Sequence, residues 1–150
     1  MKDRRLRFFC LWTGIFCLFQ LAFYQCATPV APDGGPKDEI PPQIDLSGTT
    51  PNFQTNFEKQ RIEITFDEWV KLDDVFNQVV VSPPLQKRPE ITIKGKTVRV
   101  DFAEEEVLRD SATYTINFGE AVKDLTESNP AENLRFVFST GDFIDSLEMS

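Results

Sequence analysis

Four carboxylates, Asp67, Glu68, Asp73 and Asp74, fall within one short stretch of the chain. Oxygen donors at that density could ligate calcium, which takes about six to eight of them. Their spacing does not match an EF-hand loop, and no glycine stands where its sharp turn needs one. The cluster therefore reads first as solvated loop acids and second as a weak ligand site, with Trp69 beside it as a sugar-stacking platform. Trp69 itself reads first as a core plug. A second polar group, Asp124, Glu127 and Asn129, lies in GEAVKDLTESNP (119–130). Such side chains in a loop hydrogen-bond its backbone, with an ion or ligand contact as the alternative. Glu104, Glu105 and Glu106 are consecutive, whereas glycoside hydrolysis needs two acids facing each other across a cleft. The chain has no histidine, so the commonest general base and transition-metal ligand is missing and no Ser-His-Asp triad can assemble. Gly34 and Gly35 sit in a Pro-rich stretch rather than between a strand and a helix, so they form no phosphate loop. The pattern points to no enzyme, no cofactor and no metal centre.

The elements that carry these residues are short and alternating. RIEITF (61–66) puts Ile62, Ile64 and Phe66 on one face with a period of two. NQVVVS (77–82) is a β-branched run stopped by Pro83 and Pro84. ITIKGKTVRVDF (91–102) reads as a hairpin turning at Gly95. TYTINF (113–118) aligns Tyr114, Ile116 and Phe118, and LRFVFST (134–140) aligns Leu134, Phe136 and Phe138. A weaker first strand is expected at QIDLS (43–47). Short helical turns are expected between Trp69 and Phe76 and over 104–109, both as crossovers. About seven strands with one apolar face each predict an all-β, antiparallel β-sandwich. Phe66, Phe102, Phe118, Phe136 and Phe138 are expected in its core, and Phe53, Phe57 and Phe76 at its surface.

The chain opens with Lys2, Arg4, Arg5 and Arg7, then an apolar run over 8–24, then the turn-rich ATPVAPDGGPKDEIPP (27–42). As a helix that run would span about 26 Å, at the short limit for crossing a bilayer. A basic start, a short apolar run and a turn-rich exit favour a secretion signal. Cys26, the only cysteine after residue 25, sits at the junction. The motif LAFYQC (21–26) resembles a bacterial lipoprotein signal, in which the cysteine becomes the first mature residue and carries acyl chains. Gln25 and Phe23 stand where that pattern has a small residue and a leucine. An uncleaved helical anchor and ordinary secretion remain open beside lipidation at Cys26. Ala27 occupies the position where an aspartate would retain a bacterial lipoprotein in the inner membrane, so the resemblance implies the outer membrane.

Residues 26–150 carry 12 basic and 23 acidic side chains, a net −11. That balance speaks against nucleic acid as a partner and against electrostatic docking on anionic lipid heads. One cysteine in this part excludes an internal disulfide and a cysteine-based metal site.

Pro41-Pro42, Phe66 with Glu68, Tyr114-Thr115, Asp124-Leu125 with Asn129-Pro130, and Phe138 to Gly141 occur in an order that resembles bacterial SbsA-type Ig-like domains, over about residues 40–141. The resemblance implies an Ig-like sandwich lacking the inter-sheet disulfide, in a structural or adhesive module with no shared catalytic residues. The expected organisation is a lipoprotein signal (1–25), a Pro/Gly-rich tether (26–42), the sandwich (43–141), and the start of a linker or further domain (142–150). The expected function is a non-catalytic, lipid-anchored spacer or protein-interaction module of the cell envelope. Its expected partners are the membrane, through the acyl chains, and an envelope protein or glycan. The alternative is a carbohydrate- or calcium-dependent ligand-binding module using Trp69, Asp67, Asp73, Asp74, Asp124 and Asn129.

Overall fold

The computed structural model describes residues 37–145. The expectations for the signal segment, for Cys26, for the tether up to residue 36 and for residues 146–150 lie outside the described residues.

Alternation of apolar side chains builds eight strands among the described residues. They are β1 (Ile62–Thr65), β2 (Val70–Leu72), β3 (Val80–Ser82), β4 (Glu90–Lys94), β5 (Thr97–Asp101), β6 (Thr113–Asn117), β7 (Val122–Asp124) and β8 (Arg135–Ser139). A single helical turn, α1 (Val75–Gln78), precedes β3. The strands pair antiparallel in three groups: β1-β5-β4, β3-β6-β8 and the short ribbon β2-β7. In the first group, Ile62 lies opposite Val100 and Ile64 opposite Val98. In the second, Tyr114 lies opposite Phe138 and Ile116 opposite Phe136. All eight of these side chains are buried in one cluster with Phe66, Phe118 and Val122. The period of two in the sequence thus becomes one apolar layer between sheets.

Two loose chain segments complete the sheets. Residues 45–50 run along β1, with the Asp45 N–H donating to the Thr65 carbonyl (2.8 Å) and the Thr50 N–H to that of Glu63 (2.7 Å). Residues 53–57 run along β8 but parallel to it: the Phe53 N–H donates to the Val137 carbonyl (2.8 Å), the Ser139 N–H to that of Gln54 (2.8 Å) and the Phe57 N–H to that of Ser139 (2.9 Å). Phe57 is consequently a core residue, its ring 4.1 Å from that of Phe138, and not the surface aromatic its sequence context suggested.

The other departures have local causes. The expected strand at 43–47 is one bridge at Ile44 followed by a 3-10 turn, Leu46–Gly48, because the Asp45 carboxylate accepts from both the N–H (3.0 Å) and the hydroxyl (2.7 Å) of Ser47. Asn77 and Gln78 belong to α1 rather than to β3, so that strand starts three residues late. Residues 104–109 form a turn and irregular chain. Strands β2 and β7 were not anticipated, since three residues are too few to display a period.

Gly95 makes the β4–β5 turn at φ +65, with open space where a Cβ would stand. Gly119 has φ +52, and a Cβ there would meet the Gln78 carbonyl oxygen at 3.1 Å and its Oε1 at 2.8 Å. Gly95→Ala should therefore cost only the left-handed backbone penalty, about 1 kcal/mol, and Gly119→Ala about 2–3 kcal/mol. Urea unfolding of the two variants checks this, and equal losses would contradict the close approach at Gly119.

Candidate functional site

The acids that looked like a ligand cluster are separated by the fold. Asp67 and Glu68 precede β2 and Asp73 and Asp74 follow it. A three-residue strand at about 3.3 Å per residue keeps the two pairs more than about 10 Å apart. Each acid has its own task. Asp67 Oδ1 accepts from the Gln43 N–H (2.9 Å), anchoring the entry to the domain. Asp73 pairs with Lys123 at 2.7 Å, and that hydrogen bond holds its carboxyl below the ordinary value. Asp74 precedes α1 in the left-handed conformation and accepts from Asn77 Nδ2 (2.7 Å). Among the described residues no three cysteine or acidic side chains gather as a metal ion would require.

Asp124 ends β7 and organises the loop after it. Its Oδ1 accepts from the N–H groups of Glu127 (2.7 Å) and Ser128 (2.8 Å), and its Oδ2 from that of Asn129 (3.0 Å). The residue is 1% exposed. Burial pushes its carboxyl up, but the backbone donors at Ser128, Asn129 and Glu127 together outweigh that, and it lies below the ordinary value. Asn129 in turn donates from Nδ2 to the Asp38 carbonyl (3.0 Å). Lys71 on β2 donates to the Ser128 hydroxyl (2.7 Å). Burial raises the Glu68 carboxyl from its ordinary value, and the charges of Asp124, Asp67, Asp38 and Glu127 push it the same way.

The glutamate run is also part of the scaffold. Glu106 is buried and accepts from the N–H groups of Gln86 (3.1 Å) and Lys87 (2.9 Å), while Glu105 pairs with Lys87. Lys59 donates to the carbonyls of Ala103 (3.2 Å), Glu104 (2.6 Å) and Glu106 (2.9 Å). The triad of acids thus turns a loop instead of facing a partner across a cleft.

Trp69 is 59% exposed, which overturns the core reading. Val70 points inward at the start of β2, and successive side chains of an extended chain alternate, so Trp69 faces out. Its carbonyl accepts from the N–H of Leu125 (2.9 Å), itself exposed. On another flank, Phe76 and Val80 are exposed beside a groove of about 460 Å³. Arg88 lies over the Phe76 ring at 4.2 Å and donates from Nη1 to the Phe76 carbonyl (2.5 Å). Phe76 was expected at the surface, but the groove required knowing which strands lie at its sides.

One further contact fixes the class. The Tyr114 hydroxyl on β6 accepts from the N–H of Arg109 (2.8 Å), tying the strand to the backbone five residues upstream, as the tyrosine corner of immunoglobulin-like sandwiches does. Two three-stranded antiparallel sheets enclosing one apolar layer, with the short β2-β7 ribbon beside them, closed by that tie and without a cysteine among the described residues, define an Ig-like module. The chain belongs to the bacterial Ig-like domain family, whose model matches residues 38–140. Such domains are surface or interaction modules and are typically non-catalytic. No curated protein and no solved structure matches the chain.

Proposed function

We propose that this chain is a lipid-anchored module of the cell envelope that serves as a spacer or protein-interaction domain and catalyses no reaction. The observation that carries the reading is the fate of the polar side chains. Asp124, Glu106 and Lys59 are each engaged by backbone groups of the loops they organise. Asp124 accepts three backbone N–H groups and Glu106 two, so most of their roughly four acceptor sites each serve to position loops. Exposed apolar side chains at Trp69, Leu125, Phe76 and Val80 offer contact area instead.

The anchor is Cys26. Acyl chains there hold the module at a membrane, each buried methylene contributing about 0.8 kcal/mol, and the outer membrane is the membrane the sequence favours. The net −11 of residues 26–150 keeps the domain off anionic lipid heads and nucleic acid. An envelope protein is then the partner class that suits the exposed apolar side chains. The outward position of Trp69 favours one second reading, a glycan contact on that ring.

Intrinsic fluorescence separates the two. Trp69 is the only tryptophan after residue 25, so emission excited selectively at tryptophan, beyond the absorption of Tyr114, reports it alone. The interaction-module reading predicts no shift on adding envelope glycans, and no change in melting temperature with millimolar calcium. A saturable glycan-dependent shift that is lost in Trp69→Ala would move the assignment to the second reading.

A further inference from the structure

Sheet edges are where an Ig-like module can add a strand, and this chain covers only some of its own. Residues 45–50 hydrogen-bond along β1, and residues 53–57 along β8. The remaining outer strands of the two three-stranded sheets are β3 and β4, and both line the groove of about 460 Å³. The two differ in chemistry. Strand β4 begins at Glu90 and ends at Lys94, both exposed, charges of the kind that keep other chains from pairing with an edge. Strand β3 reads Val-Val-Ser, with Val80 58% exposed and no charge along it. Beyond its ladder with β6, no backbone hydrogen bond reaches Val80, Val81 or Ser82 among the described residues.

Taking this chain as an interaction module, we propose that β3 is its docking edge, where an extended segment of a partner protein adds as a strand, places apolar side chains in the groove and sets a carboxylate on Arg88. The apolar side chains would meet Phe76, Val81, Leu85 and Ile91. Arg88 is the one cation lining the groove and has no carboxylate partner among the described residues. The guanidinium is held at the groove by the Phe76 ring and carbonyl, leaving further donors of its fork for an acidic group. Main-chain hydrogen bonds to the edge supply attraction without sequence preference, and the groove and Arg88 supply the preference. A second copy of the chain is a poorer occupant, since two bodies of net −11 repel each other.

The test uses the full chain in detergent and two synthetic peptides of alternating valine and threonine, one carrying a single glutamate and the other a lysine in its place. Amide hydrogen exchange reads where they bind. The glutamate peptide should slow exchange at β3 and bind about tenfold more tightly than the lysine peptide, the scale of one charge-assisted hydrogen bond. Arg88→Glu should invert that order. Val80→Lys, a change at an exposed edge position that leaves the core intact, should abolish protection by both. No protection of β3 by either peptide, or an order unchanged in Arg88→Glu, overturns the proposal. So does protection of β3 that follows protein concentration rather than added peptide, which would assign the edge to a second copy. Each of these failures leaves the anchored-module reading standing, because that reading is decided by Trp69 fluorescence and by the fate of Cys26.

Discussion

Phe138→Ala is expected to destabilise the domain by about 4 kcal/mol, the cost of removing a fully buried aromatic side chain. A domain of this size has about 5–15 kcal/mol to lose in total, so the variant should stand close to unfolding. Phe138 is where the layers meet. Its ring stacks on Tyr114 at 5.2 Å, sits 4.1 Å from Phe57, and touches Phe102 at 6.1 Å and Phe136 at 6.2 Å. Tyr114 and Phe136 come from its own sheet, Phe102 follows β5 of the other, and Phe57 comes from the segment along the edge of β8. Alanine would leave a void with aromatic walls that rigid strands cannot close. Phe53 serves as the control: it lies in the same edge segment but is exposed, and Phe53→Ala should change stability by no more than about 0.5 kcal/mol. Urea unfolding followed by circular dichroism reads both. A loss below about 1 kcal/mol in Phe138→Ala would contradict its place between the sheets.

Asp124→Ala is expected to cost about 3 kcal/mol near neutral pH, because three backbone N–H groups lose an ionised acceptor at a buried site. The effect carries a pH signature. Folding lowers this carboxyl, since the backbone donors outweigh burial. A lowered acid stabilises the fold fully above its unfolded value of about 3.9 and ceases to do so as pH falls through the folded value. The stability gap between the native chain and Asp124→Ala should therefore be widest near neutral pH and narrow as pH falls below about 4. Asp124→Asn retains one carbonyl acceptor and should lie between the two. A gap independent of pH would mean that the loop is held by something other than the ionised carboxylate.

Much of this fold could be read from the chain because the relevant signals are local. Each of β1, β6 and β8 alternates long enough to declare its inward face, and Gly95 announces its turn because glycine adopts a positive φ without a Cβ penalty. Strands β2 and β7 are three residues each and exist because they pair with one another, a fact that no window of either contains. The stretch 43–47 alternates well enough to suggest a strand, yet the Asp45 side chain takes up the Ser47 N–H and the chain turns. Phe57 and Trp69 exchanged places for the same kind of reason. Phe57 is buried because its segment lies along β8, and Trp69 is exposed because Val70 beside it takes the inward position. The backbone-binding role of Asp124 was legible from its residue type. The four acids around β2 were legible only as a crowd, since sequence proximity says nothing about the strand that separates them. The groove at Arg88 depends on which edges other segments cover, and that is decided across the whole fold.

The most direct test of the tethered-module account is the intact mass and membrane fractionation of the protein made in a Gram-negative host, beside Cys26→Ser. The account predicts a mature chain that begins at Cys26, heavier by its acyl groups, in the outer-membrane fraction, with Cys26→Ser absent from that fraction. An unprocessed mass with both forms retained in the membrane would contradict it, because a helix would then be the anchor and Cys26 incidental. A soluble chain of unmodified mass would contradict it as well.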